Sequence, residues 1–241
     1  MSEAEERPPA TFVLVHGAWH GGWCWRRVAD RLERLGHKVF TPTLTGLGER
    51  SHLLHPGITL ETHVTDVVNV LKWESLTDVV LVGHSYAGFV ISGVAEQMPG
   101  ALAALVYLDA FVPENGDAMI NLTSEATREA ILAAAQRGET TVPPRRAEFF
   151  RVNERDRAWV DALLTPHPIA TLTARIALAG ARDRVARKVY IRATDYPNPG
   201  FDAACERARR DPAWRVYDLP CGHDVMIDLP EELAEILEEV A

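Results

Sequence analysis

One serine stands where a side chain could act as a nucleophile. Val79, Val80, Leu81 and Val82 form a continuous apolar run, and Gly83-His84-Ser85-Tyr86-Ala87-Gly88 follows it. A short run without polar alternation suits a strand buried on both faces. Beyond the turn, apolar residues continue at helical spacing toward Met98 and Pro99. Strand, sharp turn and helix together expose the Ser85 side chain at the carboxyl end of the strand, with a helix amino terminus behind it. The spacing is close to a G-x-S-x-G nucleophile elbow, with Ala87 in place of the second glycine and Gly88 next. The plainer reading is a βα turn that happens to contain serine.

A serine hydroxyl needs a base to take its proton and a third group to orient that base. Among nine histidines, His223 in Pro220-Cys221-Gly222-His223-Asp224 follows the last expected strand and so belongs at the same edge. His16, His20 and His84 lie near the elbow and read as packing or pocket residues. Two carboxylates can serve as the third group. Asp109 ends a core strand, and Asp195 lies in the loop after a later one. Each also has a structural reading, as a strand-end carboxylate and a loop turn respectively.

The elements that would position these residues alternate regularly. Strands are expected over 12–15, 37–44, 79–82, 103–108, 188–193 and 214–219. Helices are expected over 25–35, with Gly36 as the C-cap glycine, and over 60–73, 88–98 and 201–210. Asp228-Leu229-Pro230-Glu231 is expected to open a terminal helix, with Asp228 as its cap. Between Pro113 and about residue 186 the alternation stops. There Ser124 is expected to cap a helix ending near Arg137, and a second helix is expected over 154–164. The fold class expected is α/β: a mostly parallel, doubly wound sheet whose ligands bind outside the carboxyl ends of the strands. Residues 1–113 and 187–241 would form the core, and 114–186 an inserted helical cap.

Composition narrows the function. With 241 residues and 47% hydrophobic content, the chain can bury one sizeable core. A net charge of −9 disfavours nucleic acid, whose phosphates it would repel. Cys24, Cys205 and Cys221 are far apart and lack metal-ligand spacing. The acidic start, MSEAEERPPA, has no apolar centre such as a leader needs, and no apolar run is long enough to span a membrane. A cytoplasmic protein without metal or membrane is expected. A homodimer is left open.

The segments HGAWHGGWCW, TPTLTGLGER, GHSYAG, YLDAFVPENG and GHDVM together resemble one branch of the α/β-hydrolases. That branch holds the plant methylesterases of the salicylate-binding type, the plant hydroxynitrile lyases and bacterial esterase relatives. The match is strong over 12–115, weak through the cap and fair from Lys188 onward. It implies a shortened six-stranded hydrolase core with a small helical cap. It also implies Ser85 as nucleophile, His223 as base in the chain order Ser, acid, His, and an oxyanion hole made by the backbone N–H groups of Ala18 and Tyr86. The acid stays open between two positions. The usual family position falls one or two residues beyond Asp195, on Tyr196 or Pro197. Asp109 stands where the similar haloalkane dehalogenases sometimes carry their acid, and it is preferred. The lyases resembling this chain have threonine where it has Gly17, and lysine after the catalytic histidine where it has Asp224.

The function expected is therefore a cofactor-free serine carboxylesterase acting on small to medium esters. A hydroxynitrile lyase and a non-catalytic small-molecule receptor on the same fold are the alternatives. Gly17, Trp19, Trp23, Phe111, Phe149 and Trp159 are expected to line the substrate pocket, and Trp25 to lie in the core.

Overall fold

The computed structural model describes residues 8–241. Residues 1–7, on which most of the leader reading rested, lie outside them. The strands are β1 (Thr11–Val15), β2 (Lys38–Phe40), β3 (Val79–His84), β4 (Leu102–Leu108), β5 (Thr141–Val142), β6 (His167–Pro168), β7 (Arg187–Ala193) and β8 (Trp214–Leu219). Six of them form one parallel sheet in the order β2-β1-β3-β4-β7-β8. β5 and β6 pair separately and antiparallel. The helices are α1 (Arg26–Arg34), α2 (Leu60–Trp73), α3 (Ala87–Gln97), α4 (Met119–Leu122), α5 (Glu125–Gln136), α6 (Glu154–Leu163), α7 (Ile169–Thr173), α8 (Pro199–Arg210), α9 (Val225–Asp228) and α10 (Pro230–Val240).

The strand order explains where a site can form. The chain steps from β1 outward to β2, then returns across β1 to β3. Right-handed crossovers place α1 on one face of the sheet, and α2 and α3 on the other. α1 packs with α10, and α2 with α3. The direction of winding therefore reverses between β1 and β3, and a crevice opens where their following loops part. The loop after β1 carries Ala18, and the turn after β3 carries Ser85. In register, Val15 pairs with Gly83, His84 with Leu108 and Ala193 with Leu219, so the strand ends share one edge. All six residues of β3 are buried, as its apolar run requires.

Two local expectations need correction. The strand expected over 37–44 is only Lys38–Phe40. It is an edge strand bonded to β1 alone, and Pro42, which has no N–H, follows two residues after its end. Asp228 does not cap α10. It ends α9 and accepts hydrogen bonds from the Asn153 backbone (3.1 Å) and side chain (2.7 Å). Leu229 precedes α10, with Pro230 in its first turn. The Ser124 expectation holds: its hydroxyl accepts the Thr127 N–H at 3.3 Å and opens α5.

Candidate active site

Ser85 adopts φ +55, a left-handed conformation uncommon for a residue with a side chain. Its N–H donates to the Leu108 carbonyl (3.2 Å), and its own carbonyl accepts from Gly88 (3.1 Å) and Phe111 (3.3 Å). The strained turn is thus tied to both β4 and the loop after it, as such conformations need to be. Ala87 is tolerated because the tight contact falls one residue later. A Cβ on Gly88 would lie 1.9 Å from the Phe111 carbonyl oxygen. Gly88→Ala is therefore expected to destabilise the protein by about 1–3 kcal/mol or more. Thermal denaturation should register this as a loss of roughly 2–4 °C per kcal/mol. An unchanged midpoint would show that the elbow relaxes freely.

Gly17 also presses on the elbow. A Cβ there would come within 2.9 Å of both His84 Nδ1 and Ser85 Cβ. It packs directly on the Ser85 turn and is not among the residues that line the cavity, which departs from the pocket expectation for this residue.

The two candidate acids part clearly. Asp109 follows β4 at φ +42 and is fully buried. Its Oδ2 accepts from His223 Nδ1 at 2.6 Å. Its Oδ1 accepts from Arg192 Nη1 at 2.6 Å and from the Ala193 N–H at 3.1 Å. Asp195 is exposed. Its backbone N–H donates to Cys221 and its carbonyl accepts from Arg151. Two participants had escaped the sequence reading. Arg192 neutralises the buried Asp109 and ties it to Asp202 (2.7 Å). Its signal was a further cation, Arg192, after the apolar run Val189-Tyr190-Ile191 near the end of the strand, where a buried charge demands a counter-ion. Tyr196 is one of the two positions, with Pro197, where the family pattern expects the acid, and its ring stacks on His223 at 4.6 Å. Phe201 stacks on the same imidazole at 5.3 Å.

The other histidines of the region are buried structural groups. His16 bonds the Gly17 carbonyl (2.8 Å) and accepts from Leu44 (3.0 Å). Burial, chiefly, lowers its pKa to about 3. His63, similarly lowered by burial to about 4, bonds the Tyr86 hydroxyl and the Thr45 carbonyl. His84 donates Nε2–H to the His223 carbonyl at 3.0 Å, and burial holds it neutral, well below the usual histidine range. None of them lines the cavity beside Ser85. Asp224 points away from that cavity and is fully buried. It bonds His20 at 3.1 Å.

Ser85 and His223 share one cavity of about 250 Å³ with Ala18, Tyr86, Trp19 and Phe111. Among the described residues no hydrogen bond engages the backbone N–H of Ala18 or Tyr86. Phe149, Phe150, Tyr196 and Phe201 add aromatic wall. Trp159 and Trp23 are not part of it. They pack edge to face on one another at 5.1 Å, and the Arg27 guanidinium covers Trp159. Trp25 is fully buried in the core. A second cavity of about 310 Å³ adjoins the first, sharing Trp19, Thr127 and Arg145 with it. Chemically, the arrangement offers a half-buried, cavity-lining serine at a strained turn, an imidazole held by a buried carboxylate, and two backbone N–H groups without a partner among the described residues.

A family model described as the alpha/beta hydrolase family matches residues 12–236. The chain is 44% identical over 237 residues to a carbendazim hydrolyzing esterase of Nocardioides sp. (strain SG-4G), covering 95% of this chain and 98% of that one. It is 34% identical over 122 residues to Methylesterase 1 of Arabidopsis thaliana, a match spanning 46% of this chain and 43% of the plant protein. Among solved structures, an extracellular alpha/beta-hydrolase from a Paenibacillus species superposes with a TM-score of 0.85 at 24% identity. That superposition covers 97% of this chain and 99% of the other. That structure is described as homologous to tobacco salicylic acid binding protein 2, and its likeness speaks for the fold.

Proposed function

The chain belongs to the alpha/beta hydrolase family, and from that premise we propose that it is a carboxylic ester hydrolase working through a Ser85, His223 and Asp109 triad. The observation that carries the reading is the 2.6 Å bond from His223 Nδ1 to the buried Asp109, on an imidazole that shares its cavity with Ser85. His223 takes the Ser85 proton as the hydroxyl attacks the ester carbonyl, then gives it to the leaving alcohol. Water repeats the sequence on the acyl-enzyme. The N–H groups of Ala18 and Tyr86 receive the oxyanion, each worth about 3–4 kcal/mol to the transition state. Residues 114–186 act as a cap. Met119, Phe149 and Phe150 from this segment line the cavity.

The aromatic cavity suits small to medium esters with an aryl or apolar acyl group. The similarity to a carbendazim hydrolyzing esterase adds carbendazim to the substrates to be assayed. Lyase chemistry is disfavoured at both distinguishing positions. A threonine side chain at 17 would meet the elbow, and the residue directly after the base is the anion Asp224, where the lyases carry a lysine. Three free, buried cysteines favour a reducing, cytoplasmic location. No helix among the described residues is long and apolar enough to cross a membrane.

Aryl and methyl esters are expected to be hydrolysed, and mandelonitrile to release no appreciable cyanide. A parallel assay of p-nitrophenyl acetate, methyl benzoate and mandelonitrile decides. Cyanide release faster than ester hydrolysis would replace this reading with the lyase, and no turnover of any substrate would favour a receptor.

A further inference from the structure

We propose that His20 is a positioning residue which braces the catalytic-histidine loop to the oxyanion loop through one buried proton. The proposal rests on the hydrolase reading above. His20 lies two residues after Ala18, and Asp224 directly follows His223. The His20 ring spans the gap between them. Nδ1 is 2.8 Å from the Ala18 carbonyl oxygen, and Nε2 is 3.1 Å from Asp224 Oδ2. A carbonyl and a carboxylate can only accept, so both ring nitrogens must donate, and His20 is an imidazolium. Both side chains are essentially buried, where an unpaired charge of either sign would be costly.

What the brace holds is one peptide group. The Ala18 carbonyl and the Trp19 N–H belong to the same plane. His20 holds the carbonyl, and His167 Nδ1 accepts the N–H at 3.3 Å. Trp19 itself sits at φ +66, a conformation that persists only when its surroundings impose it. This peptide adjoins, through the Ala18 Cα, the one that carries the Ala18 N–H, whose own carbonyl, Gly17, is bonded by His16 at 2.8 Å; the His20 brace therefore fixes one side of the residue and His16 the other. On the other side, His84 grips the His223 carbonyl at 3.0 Å, and Asp224 Oδ1 lies 4.0 Å from the same His84 Nε2. The general base and the oxyanion donor are thus anchored to one ion pair. This also gives Asp224 a role other than facing the leaving group.

The ionisable groups facing the pair are His84, His16 and His167, all lowered in pKa chiefly by burial, the Cys24 thiol, the Tyr196 hydroxyl and the Asp228 carboxyl, all raised chiefly by burial, and His223 beside Asp224. Burial opposes charge on His20, but the Asp224 charge and hydrogen bond outweigh it and raise its pKa. Burial likewise opposes the Asp224 carboxylate, and His20 overrides it, holding the group at about 2. A raised histidine pKa means that the doubly donating ring persists below the folded-state value, and as pH rises through that value one of its two N–H donors, and with it one of the two bonds, is lost.

The test uses His20→Gln, Asp224→Asn and the double variant, with kcat, KM and thermal midpoint measured across pH on p-nitrophenyl acetate. Each single variant is expected to lower kcat about 10²-fold, as small misplacements do, with KM little changed. Each should abolish an alkaline decline of kcat that the parent protein shows while still folded. The double variant should lose no more than the worse single one. Multiplicative losses, or a lowered midpoint with unchanged kcat and pH profile, would overturn the proposal. Should the variants fail to fold, nitrogen-15 NMR of the parent decides, because a bare ring nitrogen on His20 at neutral pH contradicts the brace. Failure of the hydrolase reading itself would appear separately, as turnover that survives Ser85→Ala.

Discussion

Ser85→Ala is expected to leave the fold intact and to lower kcat by about 10⁴–10⁶-fold. The substitution removes only Oγ. The bonds that hold residue 85 in its turn are all made by its backbone, to Leu108, Gly88 and Phe111, and alanine keeps them. What is lost is the acyl-enzyme route, because no other nucleophile replaces the hydroxyl. Residual hydrolysis would come from oxyanion stabilisation and binding alone. The measurement is kcat on p-nitrophenyl acetate with a protein whose circular dichroism and thermal midpoint match the parent. Near-normal turnover by that protein would remove Ser85 from the mechanism, and with it the family assignment of the elbow as a nucleophile site.

Asp109→Asn is expected to cost up to about 10⁴-fold in kcat. An asparagine can keep its oxygen toward Arg192 Nη1 and the Ala193 N–H, which now bond Oδ1. Its amide NH₂ then meets His223 Nδ1, where a carboxylate oxygen stood at 2.6 Å. Two donors cannot face each other, so the imidazole must carry its proton on Nε2, the nitrogen meant to receive the Ser85 proton. The imidazolium of the transition state also loses its counter-charge. Arg192 retains Asp202, so a moderate fall in thermal midpoint should accompany the kinetic loss without unfolding the protein. Asp195→Asn changes an exposed side chain whose contacts are made by the backbone. Its effect should stay within about 0.5 kcal/mol. The reverse result, with Asp195→Asn inactive and Asp109→Asn active, would move the acid to the loop after β7.

The two substitutions also mark where local reading stops. The strand and helix pattern was legible because its causes are local. The apolar run of β3, the Ser124 cap of α5 and the glycine after α1 each act within a few residues of chain, and β8 falls on 214–219 as expected. The elbow was legible for the same reason. Arg192, by contrast, neutralises an acid 83 residues away, His223 meets Asp109 across 114 residues, and His20 meets Asp224 across 204. Periodicity carries no information about such pairings. Trp159 and Gly17 failed as pocket residues for a related reason. Residue type says that an aromatic or a glycine packs closely against something, and only the packing says against what.

From the sequence alone come the α/β class, the order of elements and the place of Ser85 at a strand end, because backbone geometry and burial period determine them residue by residue. The tertiary structure alone decides which carboxylate holds His223, that Tyr196 and Phe201 pack against that ring, and that Asp224 is turned inward to His20. Those outcomes depend on how separate strands align at one sheet edge. They depend also on the need of every buried charge for a partner, which the fold, and no neighbouring residue, supplies.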